Sequence, residues 1–121
     1  MKKIIVLVVL LVGLSLSATT PETPKVVWPY FGVHLAHDKN AYVTWTTSSV
    51  NADFYRIYLY NWQDDYAVVV GEVDPNLGRY KWHVPNVVGS DYQMVFYGIT
   101  VDDNGLEELT EFFYGNYFII Q

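Results

Sequence analysis

The chain has 121 residues, 51% of them hydrophobic, with 13 acidic against seven basic side chains and a net charge of −6. So acidic a surface repels phosphate backbones and anionic headgroups, which excludes nucleic acid and acidic membranes as expected partners. Cysteine is absent, so no disulfide staples the fold and no lipid-modified thiol tethers it.

Met1-Lys2-Lys3 precedes an apolar run from Ile4 to Leu16, broken only by Gly13 and Ser15, and the small residues Ser17, Ala18 and Thr19 follow. A basic start, a short apolar centre and a small-residue exit are the three parts of a secretory signal peptide. The run falls short of the about 20 apolar residues that span a bilayer, so residues 1–18 are read as a cleaved signal rather than an anchor. The protein is therefore expected to be secreted, extracellular or in the cell envelope, without stable membrane insertion. Cleavage leaves 103 residues, the size of one domain, with five basic and 13 acidic side chains and a net charge of −8.

Residues 19–25, Thr19-Thr20-Pro21-Glu22-Thr23-Pro24-Lys25, carry two prolines and nothing apolar to bury, and read as a short extended linker. From residue 26 to 121, turn signals recur about every ten residues, the spacing of an all-β sandwich or barrel. Strands are predicted near Lys25–Trp28, Ala41–Thr47, Phe54–Asn61, Tyr66–Val73, Gly78–His83, Tyr92–Val101 and Phe112–Ile120. Seven strands in about 100 residues is the count of an immunoglobulin- or fibronectin-III-like β-sandwich. Asp102-Asp103-Asn104-Gly105 is a turn signal, expected to open a long acidic connection before the last strand.

Alternation assigns the faces, because successive strand side chains point to opposite sides of a sheet. Val43, Trp45, Ile57 and Leu59 are expected inside, and Arg56, Tyr58 and Tyr60 outside. The same rule sends Tyr80, Trp82, Val84, Tyr92, Met94, Phe96, Phe118 and Ile120 inward. It leaves Arg79, Lys81, His83, Gln93, Val95, Tyr97, Tyr117 and Ile119 outward.

The succession Val43-Thr44-Trp45-Thr46, Tyr55-Arg56-Ile57-Tyr58-Leu59, Gly78-Arg79-Tyr80-Lys81-Trp82-His83-Val84-Pro85, Asp91-Tyr92-Gln93-Met94-Val95 and Tyr117-Phe118-Ile119-Ile120 resembles the N-terminal domain of yeast cell-wall beta-glucan assembly proteins. Similar domains occur in Ser/Thr-rich GPI-anchored proteins and in secreted bacterial and archaeal ones. The resemblance runs from about Val26 to Ile120, and Gly-x-Tyr-x-Trp-x-Val-Pro is its most specific element. It implies a secreted module of cell surfaces and polysaccharides, with no catalytic residues to carry over. The chain departs from the family at Pro29-Tyr30-Phe31-Gly32, which replaces a Pro-Asn-Gly-Gly-like turn. The family's Ser/Thr-rich stalk and anchoring signal do not appear in the sequence.

Four tyrosines form the candidate ligand-binding face: Tyr58 and Tyr60 on one strand, Tyr97 on another and Tyr117 on the last. Aromatic faces stack on sugar rings and the phenol adds a hydrogen bond, although such residues also stabilise sheets simply by pairing. His34-x-x-His37-Asp38 offers zinc-type ligands, but residues three apart in a strand diverge, so a solvated loop is expected. The acids Asp102, Asp103, Glu107, Glu108 and Glu111, with Asp64 and Asp65, fail the spacing of a calcium-binding EF-hand loop. No metal or cofactor is expected.

Catalytic signals are missing: Ser48, Ser49 and Ser90 lack a Gly-x-Ser-x-Gly context, and there is no glycine-rich phosphate loop. No enzyme is expected. The sequence points to a non-catalytic module that binds polysaccharide or a cell-surface protein through its outer aromatic face. The alternative is a self-associating structural protein whose apolar face and last strand pair with a neighbouring copy.

Overall fold

The computed structural model describes residues 24–47 and 52–121. The segments predicted as signal peptide and, up to Thr23, as linker lie outside the described residues, as do Ser48 and Ser49. The described residues form nine strands: β1 (Val26–Trp28), β2 (His34–Leu35), β3 (Asn40–Trp45), β4 (Phe54–Asn61), β5 (Tyr66–Val73), β6 (Arg79–His83), β7 (Gly89–Val101), β8 (Glu107–Tyr114) and β9 (Phe118–Ile120). Two sheets result, one of three strands in the order β1-β3-β6 and one built on β2-β9-β7-β4-β5, with β8 added beside β7. This is the two-sheet, all-β arrangement of a fibronectin-III-like sandwich. No helix among the described residues is long and apolar enough to cross a membrane.

Each predicted strand is present, the last in two pieces. β8 pairs with Val95 to Val101 and β9 with Gly89 and Tyr92, on the same edge of β7. Between the two pieces, Gly115 N donates to Met94 O at 3.0 Å, which keeps the interrupted strand docked. The expected long acidic connection after Asp102 is instead a tight turn. Asp102 Oδ1 accepts from the backbone N–H of both Asn104 and Leu106 at 2.9 Å. Gly105 takes φ 83, a conformation open to glycine at little cost. The acids Glu107, Glu108 and Glu111 therefore sit in a strand rather than a loop. β2 escaped the sequence reading because it is two residues long; it runs parallel to β9.

The core lies between the sheets. Val43, Ile57, Leu59, Val84, Met94 and Phe96 are fully buried, and so is Tyr55. β4 alternates half-buried and buried along its whole length, the signature of one face on the core and one outside. Trp45, Tyr55 and Phe96 meet edge to face, with centroids 5.3 to 6.1 Å apart, and Phe113 stacks on Phe96 at 4.6 Å. Each such pair adds about 0.5–1.5 kcal/mol beyond the area it buries. Trp45 Nε1 donates to Pro75 O at 3.0 Å, whereas the buried Trp82 Nε1 has no partner. Tyr80, assigned inward, is only partly buried, because its ring lies at the sandwich edge against Gly71 of β5.

Gln93 and Val95, assigned to the outward side of β7, are both buried there. Val95 nevertheless lies apart from the residues of the central core. It sits on the outward side of β7, opposite Tyr58 of β4 and Tyr114 of β8. The outer face of the large sheet thus carries its own apolar layer, roofed by aromatic rings.

Candidate functional site: the outer aromatic face

Strands β4, β7 and β8 lie side by side, and their outward positions line up an aromatic surface. Tyr58 meets Tyr60 at 5.8 Å and Tyr97 at 5.2 Å, in both cases edge to face. The hydroxyls of Tyr60 and Tyr97 share a hydrogen bond of 3.2 Å. That bond, then burial, then the neighbouring phenols push the Tyr97 hydroxyl up to about 12. The structure therefore brings Tyr58, Tyr60 and Tyr97 together, but as a half-buried cluster whose rings engage one another.

The exposed rings lie to one side of that cluster. Phe112 stacks on Tyr97 at 5.2 Å and meets Tyr114 at 5.8 Å, and Trp62 meets Tyr60 at 4.5 Å. Trp62, Gln93, Phe112, Tyr114 and Tyr117 line a cleft of about 270 Å³. Trp62 is 57% exposed and Tyr114 59%, so their faces are open to a ligand. Tyr117 reaches this cleft from the segment between β8 and β9, away from the other three tyrosines singled out in the sequence.

Buried Gln93 forms the floor and ties the walls together. Its Oε1 accepts from Trp62 Nε1 at 2.6 Å, and its Nε2 donates to Gly115 O at 2.8 Å. Trp62 stands in a turn that Asn61 organises, its Oδ1 accepting from the backbone N–H of Gln63 and Asp64. No hydrogen bond engages the Tyr114 and Tyr117 hydroxyls among the described residues.

The charged groups of this face gather elsewhere and neutralise one another. Arg56 Nε meets Glu72 Oε2 at 2.7 Å, and its two Nη atoms grip both oxygens of Glu107 at 3.0 and 2.9 Å. The guanidinium holds the Glu107 carboxyl below its usual range and is itself pushed up by the two carboxylates. Glu111 turns inward to accept from Tyr55 OH at 2.9 Å. Burial, followed by that bond, raises the Tyr55 phenol. No charged side chain lines the Trp62 cleft.

The His34-x-x-His37-Asp38 cluster of the sequence is spent on structure. His34 Nδ1 donates to Gln121 Oε1 at 2.6 Å and His37 Nδ1 to the Gln121 carbonyl at 2.7 Å. Asp38 pairs with His83 at 2.9 Å, and that bond lowers its carboxyl. Among the described residues, no three of His, Asp and Glu gather as a metal site would require.

Trp62, Phe112 and Tyr114 were missed in the sequence. A signal existed for Trp62, since positions 58, 60 and 62 continue one alternation past the end of β4. No equivalent signal marked Phe112 and Tyr114, because the break at Gly115 inverts the alternation of the last strand.

No family model matches the sequence, and no curated protein matches it. Among solved structures, the chain is similar to one titled "Structures of Clostridium thermocellum CbhA fibronectin(III)-like modules". The two share 16% identity over 81% of this chain and 93% of the other, with a TM-score of 0.45.

Proposed function

We propose that this protein is a secreted, non-catalytic module that binds a neutral polysaccharide in the cleft formed by Trp62, Phe112, Tyr114 and Tyr117. The observation that carries this reading is the cleft's chemistry: exposed aromatic faces around an amide floor, with no charge in the lining. Pyranose rings present apolar C–H faces that stack on aromatic rings, and their hydroxyls bond to phenols and amides. Tyr114 and Tyr117 offer phenol hydroxyls that no described residue engages. An anionic glycan would meet a chain of net charge −6 with no cation in the cleft, so the neutral class fits best. The signal-peptide pattern of residues 1–18 and the resemblance to beta-glucan assembly proteins fit an extracellular setting.

Intrinsic tryptophan fluorescence tests the proposal. Titration with soluble neutral oligosaccharides of glucose, xylose or mannose should shift or quench the emission, because Trp62 is the exposed indole of the cleft. Trp62→Phe should remove the signal change. An emission unmoved by all three series at millimolar sugar rejects the reading.

A further inference from the structure

The two sheets differ in charge. None of β1, β3 and β6 contains an Asp or Glu, while β6 carries Arg79 and Lys81 two positions apart and both exposed. Lys25 and Lys39, also exposed, immediately precede β1 and β3. Of the five basic side chains among the described residues, only Arg56 pairs with a carboxylate. Arg79 lies over the Tyr42 ring, 4.4 Å from its centroid, and exposed Val27 sits on β1 of the same sheet. On an acidic protein this sheet is a cationic, part-apolar face: Asp38 at its edge pairs with His83, and among the described residues no carboxylate pairs with Arg79 or Lys81.

The complement stands on the large sheet. Residues 101–110, where β7 turns into β8, are all exposed, so this hairpin tip projects from the sandwich. It carries Asp102, Asp103, Glu107 and Glu108, with Leu106 and Leu109 exposed beside them. Glu107 is held by Arg56 and Asp102 by its turn, which leaves Asp103 and Glu108 without partners among the described residues.

We propose that a second copy of this chain docks its β7–β8 hairpin tip on the cationic face of the three-stranded sheet. Asp103 and Glu108 of the tip meet Arg79 and Lys81, and the exposed leucines cover Val27 and Tyr42. The two surfaces are different parts of one molecule, so the contact is head-to-tail and each docked copy leaves one tip and one face open. Net repulsion between acidic copies is screened beyond about 8 Å at physiological salt, whereas opposite charges in contact still attract.

Sedimentation velocity on the protein from 10 to 500 µM in 0.1 M salt reads the association, with R79E/K81E and D103K/E108K as variants. The wild type should associate with rising concentration, and 1 M salt should weaken it at least tenfold. Each variant alone should be monomeric, since its tip and face now carry like charges. An equimolar mixture of the two should associate again, because each supplies what the other reversed, and this rescue also certifies that both fold. A monomeric wild type at 500 µM overturns the proposal. So do variants that associate like the wild type, or a mixture that stays monomeric. Retention on immobilised polygalacturonate that needs Arg79 and Lys81, without self-association, would assign the face to an anionic polymer and overturn it as well.

Discussion

Trp62 Nε1 donates to Gln93 Oε1 at 2.6 Å, and the other end of the same amide holds Gly115 O at 2.8 Å. One buried side chain therefore joins the turn after β4 to the break between β8 and β9, the two places from which the cleft walls rise. Gln93→Leu keeps the volume but leaves the Gly115 carbonyl without its donor and frees the indole. It is expected to cost about 1–2 kcal/mol in urea denaturation, the penalty of an unmade bond at a buried group. Sugar binding should weaken more than stability alone explains, because the indole loses its fixed orientation.

The Tyr60–Tyr97 hydroxyl pair makes stability depend on alkaline pH. A phenol whose pKa in the fold lies above its unfolded value near 10 stabilises the fold fully below pH 10. That contribution is lost as pH rises through about 12, the value reached by Tyr97. Urea midpoints should accordingly fall between pH 10 and 12, and Tyr97→Phe should fall less steeply. Some alkaline loss persists in the variant, because Tyr55 is also raised by burial and Glu111. Identical pH profiles for wild type and variant would contradict this.

The two core indoles are not equivalent. Trp45→Phe strands the Pro75 carbonyl, whereas Trp82→Phe removes a buried donor that has no partner. Both lose ring volume, at a cost of the kind seen in large-to-small core changes. Trp45→Phe should nevertheless be the more damaging by about 1 kcal/mol or more, since a buried unmade bond costs that much. Thermal melts of the two variants, compared at equal concentration, read the difference.

Gly71 of β5 allows the Tyr80 ring to close the sandwich edge. A methyl group added there would lie 2.7 Å from Tyr80 Cζ and overlap its hydroxyl. Gly71→Ala should therefore destabilise by about 1–3 kcal/mol, the cost of overpacking. The double variant Gly71→Ala/Tyr80→Ala should lose little more than Tyr80→Ala alone, because the two residues share one contact.

Much of this sandwich was legible in the sequence. The bounds of β4 and β5 were read correctly, because strong alternation of large apolar residues sits between clear turn signals. The core positions Ile57 and Leu59 on β4 and Tyr92, Met94 and Phe96 on β7 followed from the same periodicity. What escaped has a common physical cause, namely burial or exposure created by strands distant in sequence. Gln93 and Val95 are covered by aromatics from β4 and β8, which alternation along β7 cannot report. β8 begins with Glu107-Glu108-Leu109-Thr110, an exposed stretch without an apolar face, so its acids suggested a loop. The break at Gly115 shifted the phase of the last strand and hid Phe112 and Tyr114. Tyr58, Tyr60, Tyr97 and Tyr117 were read as one cluster, yet Tyr117 stands apart at the Trp62 cleft, and whether a ring is open to a ligand depends on how its neighbours stack.

The most direct measurement is affinity electrophoresis through native gels containing neutral polysaccharides: laminarin, xylan, galactomannan and hydroxyethylcellulose. The wild type should be retarded in at least one of them. Trp62→Ala/Tyr114→Ala should migrate as in a plain gel while still melting cooperatively, at a temperature lowered by the loss of the Trp62–Gln93 bond. A wild type that runs free in every gel, or a double variant retarded as strongly as the wild type, would contradict sugar binding at the Trp62 cleft.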